Sequence, residues 1–174
     1  MKVHLRVCGP GDEDALALIG RATFLDAFAG VLSSEDILLH CALQHAPEIY
    51  KGWLADARAR SWLAEIEPGH APVGYLVVAT ASVPLPDLHP DDVEVKRIYL
   101  LHRIQGSGVG ARLMKEAVTF ATLVGSRRLL LGVYGGNDRA IAFYERFGFT
   151  RVGTRRFRVG RNDYDDLILG LDLV

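Results

Sequence analysis

The chain has 174 residues, 49% hydrophobic and 24% charged, with a formal net charge of −1 at pH 7. That length suits a single domain over residues 1–174 with enough chain to bury a substantial core. The balanced charge gives no basic field for nucleic acid, and no stretch approaches the roughly 18 consecutive apolar residues of a membrane span.

Residues 3–7 alternate apolar and polar side chains and are predicted to form a strand. The charged start, Met1-Lys2-Val3-His4-Leu5-Arg6, is unlike a secretory leader. Cys8 and Cys41 are isolated thiols without metal-ligand spacing, so the cytoplasm is the expected compartment. Gly9-Pro10-Gly11 stops the strand, and Asp12 is the expected N-cap of a helix. Ala15, Leu18, Ile19, Ala22, Phe24 and Phe28 recur along it at near-helical spacing, and Gly30 breaks it. Ser33 or Ser34 caps a second helical run, and Pro47 opens a third over residues 48–60. Residues 62–66 and 73–79 read as a hairpin around Pro68-Gly69-His70-Ala71. Residues 84–90, rich in Pro and Asp, read as a loop.

A central strand follows over residues 93–101, then a helix over residues 108–124. That helix carries Val109, Leu113, Ala117, Phe120, Ala121 and Val124 on one face. Residues 127–134 form a strand of the fully buried type. A short helix over residues 137–147 ends at Gly148, a C′ glycine. Strands over residues 149–154 and 166–173 close the chain, with Arg155, Arg156, Arg158 and Arg161 in the segment between them. Helices interspersed among hairpin-linked strands favour one α/β sheet domain.

The stretch with most chemical content is Gln105-Gly106-Ser107-Gly108-Val109-Gly110-Ala111. It lies between a strand and a helix. Glycines there allow positive φ and close approach of backbone to a ligand. The first N–H groups of the helix have no intrahelical partner and, with the helix dipole, attract phosphate. Gly106-x-Gly108-x-x-Ala111 also matches a dinucleotide fingerprint, but that motif needs an acidic residue at the end of the next strand, and residues 127–134 contain none. No Gly-Lys-Ser/Thr follows, which excludes a Walker loop. A plain glycine turn is the remaining reading, at an entropic cost that three alternating glycines make high.

A second block, from Gly132 to Phe149, contains Asn137-Asp138-Arg139-Ala140, Tyr144 and Gly148-Phe149. It resembles the Asn-x-x-Ala-x-x-x-Tyr-x-x-x-Gly-Phe signature of GNAT (GCN5-related) N-acetyltransferases. The Gln-x-x-Gly-x-Gly element at residues 105–110 is similar to their pyrophosphate loop, and the two occur in the family's order and separation. The run Arg97-Ile98-Tyr99 and the long final hairpin resemble the bacterial branch that includes spermine/spermidine acetyltransferases. The resemblance implies a GNAT fold: one mixed, mostly antiparallel twisted sheet of six to seven strands, flanked by helices, with a splay between two central parallel strands. It implies acetyl-CoA as cosubstrate and direct acetyl transfer to a primary amine in a ternary complex; the six histidines show no ligand spacing such as His-x-x-x-His, so no metal is expected. A noncatalytic acyl-CoA sensor of the same fold is the alternative.

The same resemblance places the pyrophosphate on the backbone of Gln105, Gly106, Ser107, Gly108, Val109, Gly110 and Ala111. It places the pantetheine arm beside the backbone of Ile98, Tyr99 and Leu100 as an added strand. An amide near Leu100 would polarise the thioester carbonyl.

Tyr144 matches the family's general acid, although an aromatic on an apolar helix is more often core. Asn137 caps the short helix and, in the family, also bonds the cofactor arm. Glu94 matches a general base of several members, or is a strand-end carboxylate paired with Lys96 or Arg97. Strict alternation puts Glu94, Lys96, Ile98 and Leu100 on one face of the central strand and Val93, Val95, Arg97 and Tyr99 on the other. The acceptor is a small amine, polyamine or amino-acid-like, or a protein amine. Asp87, Asp91 and Asp92 at a cleft mouth would favour a cation. The arginines of residues 155–161 would favour an anion, form a solvated hairpin, or serve a homodimer contact.

Overall fold

The structure, a computed structural model that describes residues 2–173, is organised around one seven-stranded sheet. Its strands are β1 (Val3–Val7), β2 (Arg60–Ile66), β3 (Ala71–Thr80), β4 (Val93–Leu100), β5 (Arg128–Tyr134), β6 (Thr150–Val159) and β7 (Asn162–Asp172). The helices are α1 (Glu13–Phe28), α2 (Ser34–Gln44), α3 (Pro47–Ala55), α4 (Val109–Leu123) and α5 (Asp138–Glu145). Strand order is β1-β2-β3-β4-β5-β7-β6, and every neighbouring pair is antiparallel except β4–β5. A parallel pair needs a crossover, and α4 supplies it.

The two faces of the sheet have separate cores. On one, α4 and α5 cover Trp62, Leu76, Val95, Leu129 and Leu131. Leu113, Met114 and Ala117 of α4 are fully excluded from water there. Burial of each leucine or methionine contributes about 1.5–3 kcal/mol. On the other face, Leu16 and Ile19 of α1 and Tyr50 of α3 pack on Leu63, Tyr75 and Val77. Phe24 and Ile37 of α1 and α2 hold Val159 at the tip of the β6–β7 hairpin.

Four expectations from the sequence are corrected. The third helix stops at Ala55, because Asp56 folds the chain into a turn: its carboxylate accepts Arg58 N–H at 2.8 Å and its carbonyl accepts Ala59 N–H at 3.0 Å. Arg60 therefore begins β2. Asp12 sits at the N-cap of α1 but makes no capping bond, because its carboxylate accepts Gly9 N–H at 2.8 Å and pairs with Arg6 at 2.9 Å. Val124 lies past the end of α4 and is 48% exposed rather than on the buried stripe.

The fourth correction concerns the arginine segment, which is mostly strand. Arg155 pairs in register with Asp166, Arg156 with Asp165, and Arg158 with Asp163. Opposite charges directly across an antiparallel ladder stabilise the pairing. The Arg158–Asp163 contact is 2.9 Å, and Arg161 reaches Glu35 of α2 at 3.1 Å. These arginines are partnered within the chain.

The three aspartates before β4 also have partners. Asp92 is fully buried, and its Oδ2 accepts from Arg128 Nη2 at 2.7 Å, Arg128 Nε at 3.2 Å and His89 N–H at 3.0 Å. Asp87 meets the same guanidinium at 3.0 Å, while Asp91 faces His89 at 3.5 Å and Arg58 at 3.9 Å. This cluster closes the loop of residues 84–92 onto β5, at the end of β4 away from the glycine turn, and its aspartates are engaged by Arg128, His89 and Arg58.

Asp92→Asn should destabilise the fold by about 3–5 kcal/mol, because Arg128 would keep a buried charge with a weakened partner. Arg128 holds the Asp92 carboxyl below the usual carboxylate range despite burial. A depressed carboxylate contributes stability above its unfolded-state pKa, about 3.9, and loses it as pH falls through the lower folded value. Urea titrations at pH 7 and pH 3 check both points. An unchanged midpoint for Asp92→Asn at pH 7 would remove the cluster's structural role.

Candidate active site

The site originates in an irregularity of β4. Val77 pairs with Arg97, but Val78 pairs with Val95, so Lys96 is an extra residue in β4. Such a bulge shifts the alternation by one and bends the strand. Ile98 and Leu100 therefore join Val93 and Val95 on the α4 face. Arg97 and Tyr99 face the α1–α3 side, where Tyr99 stacks on Tyr75 with centroids 6.0 Å apart and Arg97 reaches Tyr50. The strict alternation expected from the sequence is corrected accordingly. Glu94 shares its face with Arg97 and Tyr99, not with Ile98 and Leu100.

Past the bulge, β4 leaves β5. Their pairing is confined to Val93↔Leu129, Glu94↔Leu130 and Val95↔Leu131. Yet β4 continues along β3 to Leu100, and β5 continues along β7 to Tyr134. The facing edges of residues 96–100 and 132–134 have no strand partner among the described residues. At about 3.3 Å per residue the opening runs roughly 10–15 Å, long enough for an extended amide-bearing chain. Leu101 N–H donates to Val73 O at 2.9 Å. Backbone groups alternate sides along a strand, so the N–H groups of Leu100 and Ile98 point the other way, into the opening.

At the mouth of this V, a 3-10 turn (His102–Ile104) leads into the glycine loop and α4. Gly106 has φ +81° and Gly108 has φ +84°, the left-handed region that glycine adopts without strain. Gly108 is the N-cap of α4, and no side chain caps it. Ser107 N–H bonds Ile104 O, and Arg112 N–H is the first to bond back, to Gly108 O. Gly106, Gly108, Val109, Gly110 and Ala111 have N–H groups with no acceptor among the described residues. This row fits a diphosphate, which needs several donors at once.

Tyr144 lies on α5 with its ring between Phe143 and Phe149, at 5.3 and 6.0 Å, and is 9% exposed. Its hydroxyl has no hydrogen-bond partner among the described residues. Burial, with a smaller contribution from the Tyr99 phenol, pushes it well above the usual phenol range, so it is neutral at working pH. Asn137 is the N-cap of α5, its Oδ1 accepting Ala140 N–H at 3.1 Å.

Glu94 is 3% exposed. Its Oε2 accepts from Lys96 Nζ at 2.6 Å and Ser82 N–H at 3.0 Å, and its Oε1 faces Arg155 Nη1 at 3.5 Å. Arg155 reaches it from the edge strand β6 across β7 and β5. That path is open because Gly132 has no side chain: a Cβ there would lie 2.2 Å from the guanidinium. Arg155 also meets Asp166 at 3.4 Å. Burial raises the Asp166 carboxyl above its usual range.

One side of the site was not anticipated. Buried Tyr50 and His45 and half-buried Arg97 form a polar cluster where α2 meets α3. His45 Nδ1 lies 2.8 Å from Tyr50 Oη, and Tyr50 Oη lies 3.4 Å from Tyr75 Oη. Nothing local in the sequence marks this cluster, since its members come from three elements.

A seven-stranded, mostly antiparallel sheet with one splayed parallel pair and an uncapped helix N-terminus at its mouth defines a class of α/β protein built to hold an extended, diphosphate-bearing ligand. A family model described as acetyltransferase (GNAT) family matches residues 31–149. The chain belongs to this family and is an N-acetyltransferase. A relative in Mycobacterium tuberculosis, printed as uncharacterized N-acetyltransferase Rv2669, is 31% identical over 163 residues, covering 94% of this chain and 99% of its own. The spermine/spermidine N(1)-acetyltransferase of Bacillus subtilis is 33% identical over 66 residues, covering 37% of this chain and 43% of its own. Among solved structures, the PaiA N-acetyltransferase of Thermoplasma acidophilum in complex with coenzyme A superposes with a TM-score of 0.78, at 18% identity and 99% coverage of both chains. Among the described residues there is no helix long and apolar enough to cross a membrane.

Proposed function

We propose that the protein transfers the acetyl group of acetyl-CoA to a small primary amine by direct attack within a ternary complex. The observation that carries this reading is the V between β4 and β5, with the free N–H groups of α4 at its mouth. In this reading the residues of the glycine loop hold the diphosphate. Ile98 and Leu100 present N–H groups to the pantetheine amides and the thioester oxygen. Asn137, besides capping α5, has an amide nitrogen with no partner among the described residues, which would serve the arm.

The amine nitrogen attacks the thioester carbon, a C–N bond forms and the C–S bond breaks. The departing sulfur takes its proton from the Tyr144 hydroxyl, which is neutral and has no protein acceptor. The nitrogen loses a proton to Glu94 or to water. Glu94 serves directly only if the acceptor displaces Lys96 or Arg155 from its oxygens, so Glu94→Gln should raise KM and lower kcat together.

A free-thiol assay with acetyl-CoA across a panel of amines tests the reading, alongside thermal shift with CoA, NAD and ATP. Thiol release with at least one amine, and stabilisation by CoA well above that by NAD, are expected. A CoA shift without thiol release for any amine would leave a sensor. Equal stabilisation by NAD would overturn the cofactor assignment.

A further inference from the structure

Three arginines of the described residues are not exposed, and they differ in one respect. Arg128 is paired with Asp92 and Asp87, and Arg155 with Glu94 and Asp166. Arg97 has no carboxylate within 4.0 Å among the described residues. Its Nη1 donates to His45 Nδ1 at 2.9 Å and to Tyr50 Oη at 2.6 Å, and its Nη2 donates to the Gln44 carbonyl at 2.5 Å. Its guanidinium carbon lies 5.1 and 5.0 Å from the ring centroids of Tyr50 and Trp53. These partners are neutral. The imidazoles beside it are neutral too: burial and the Arg97 charge pull His45 down to about 3 and His40 to about 4.

A guanidinium has five N–H donors, and three are used here. One on Nε and one on Nη2 remain. That pair can form the parallel fork that binds a carboxylate in two places. Arg97 stands two residues before Tyr99 on the strand that flanks the V, on the face away from α4. A purely structural arginine would seal the C-terminal end of α2 and stack on its aromatics, as this one does. It would not need a half-buried charge left without a counter-ion, which burial penalises. The charges weighed above as guides for the acceptor are spent, since the aspartates before β4 and Arg155, Arg156, Arg158 and Arg161 pair within the chain.

We propose that Arg97 receives the carboxylate of the acceptor, so that the substrate is an amino-acid-like amine rather than a polyamine. The inference rests on the acetyltransferase reading above.

The test compares free L-methionine, L-phenylalanine and L-glutamate with their α-carboxamides, and with spermidine, as acceptors for the full chain. Each amide keeps the amine and lacks the charge. Its amine is the less basic, which favours the amide in intrinsic reactivity, so a preference for the acid reports recognition. At least one acid should exceed its amide in kcat/KM by tenfold or more. Arg97→Gln should bring that ratio close to one through KM, the acid losing tenfold more than the amide, and Arg97→Lys should fall between. A wild-type ratio near one, a preference for spermidine, or equal loss for acid and amide in Arg97→Gln would overturn the proposal. Should Arg97→Gln not fold, the wild-type ratio and Arg97→Lys decide alone. Absence of thiol release with every amine would instead remove the acetyltransferase reading, and this inference with it.

Discussion

Gly108→Val should abolish the thermal stabilisation that CoA gives the wild-type protein. At a CoA concentration of 100 times Kd, mass action adds about 2.7 kcal/mol, which for a chain of this length is a shift of about 5–10 °C. Gly108 holds φ +84°, and its N–H is one of the donors in the α4 row. A β-branched residue is a genuine outlier in that region of backbone space, at a cost of order 1–3 kcal/mol. The loop relieves that strain by rotating, and the N–H row turns away from where a diphosphate would lie. A Cβ on Gly108 meets nothing within 4 Å, so the effect comes from backbone conformation, not from a collision inside the protein. Gly108→Ala carries the same positive φ with less bulk and should lose part of the shift. Far-UV circular dichroism and the ligand-free melting temperature establish that both variants fold. A folded Gly108→Val that keeps the full CoA shift would sink the loop's role.

Tyr144→Phe should lower kcat by a factor on the order of 10²–10⁴ while leaving the affinity for acetyl-CoA nearly unchanged. The structure makes this substitution unusually clean. The hydroxyl has no partner among the described residues, so its removal strands no donor or acceptor inside the protein. The ring contacts with Phe143 and Phe149 remain. Stability should therefore change by no more than about 0.5 kcal/mol. A loss of kcat with an unchanged melting temperature assigns the phenol to chemistry. The raised pKa has a further consequence. The proton stays on the hydroxyl throughout the neutral and mildly alkaline range, so activity should not decline there through loss of this acid. Single-turnover measurements must show chemistry to be rate-limiting. With that established, an unaltered kcat would reduce Tyr144 to a packing residue.

Glu94 shows how a residue legible in the sequence can acquire a different setting in the fold. The family resemblance marks it, six residues before Leu100, as a candidate base, with a carboxylate paired to Lys96 or Arg97 as the other reading. The tertiary structure surrounds it with Ser82 N–H, Lys96 and Arg155, the last reaching across two strands over Gly132. Lys96 was among its anticipated partners, being close in sequence. Arg155 is 61 positions away, in a segment whose charge the sequence leaves open between an anionic acceptor, a solvated hairpin and a dimer contact.

By itself the sequence determined the elements whose signals are local. Alternation marks β1, helical spacing marks α1 and α4, Gly148 marks the end of α5, and the glycines at 106 and 108 mark the turn that bares the N–H groups of α4. The paired glycine and Asn-Ala-Tyr-Gly-Phe motifs carried the family resemblance, and backbone conformation accounts for part of them: Gly106, Gly108 and Gly148 hold positive φ and Asn137 caps α5. Only the tertiary structure decided what depends on pairing between distant segments. The extra residue at Lys96 in β4 is invisible in a run that alternates well enough on paper, since a bulge is defined by its partner strand, here β3. That one residue reverses the faces of Ile98 through Leu100 and bends β4 away from β5. Charge was the second such property. The aspartates before β4 and the arginines of β6 are equally plausible ligands for an acceptor as a sequence. In the fold the charges of those aspartates and of Arg155, Arg156, Arg158 and Arg161 are matched within the chain, and of the three arginines of the described residues that are not exposed, the one left without a carboxylate is Arg97.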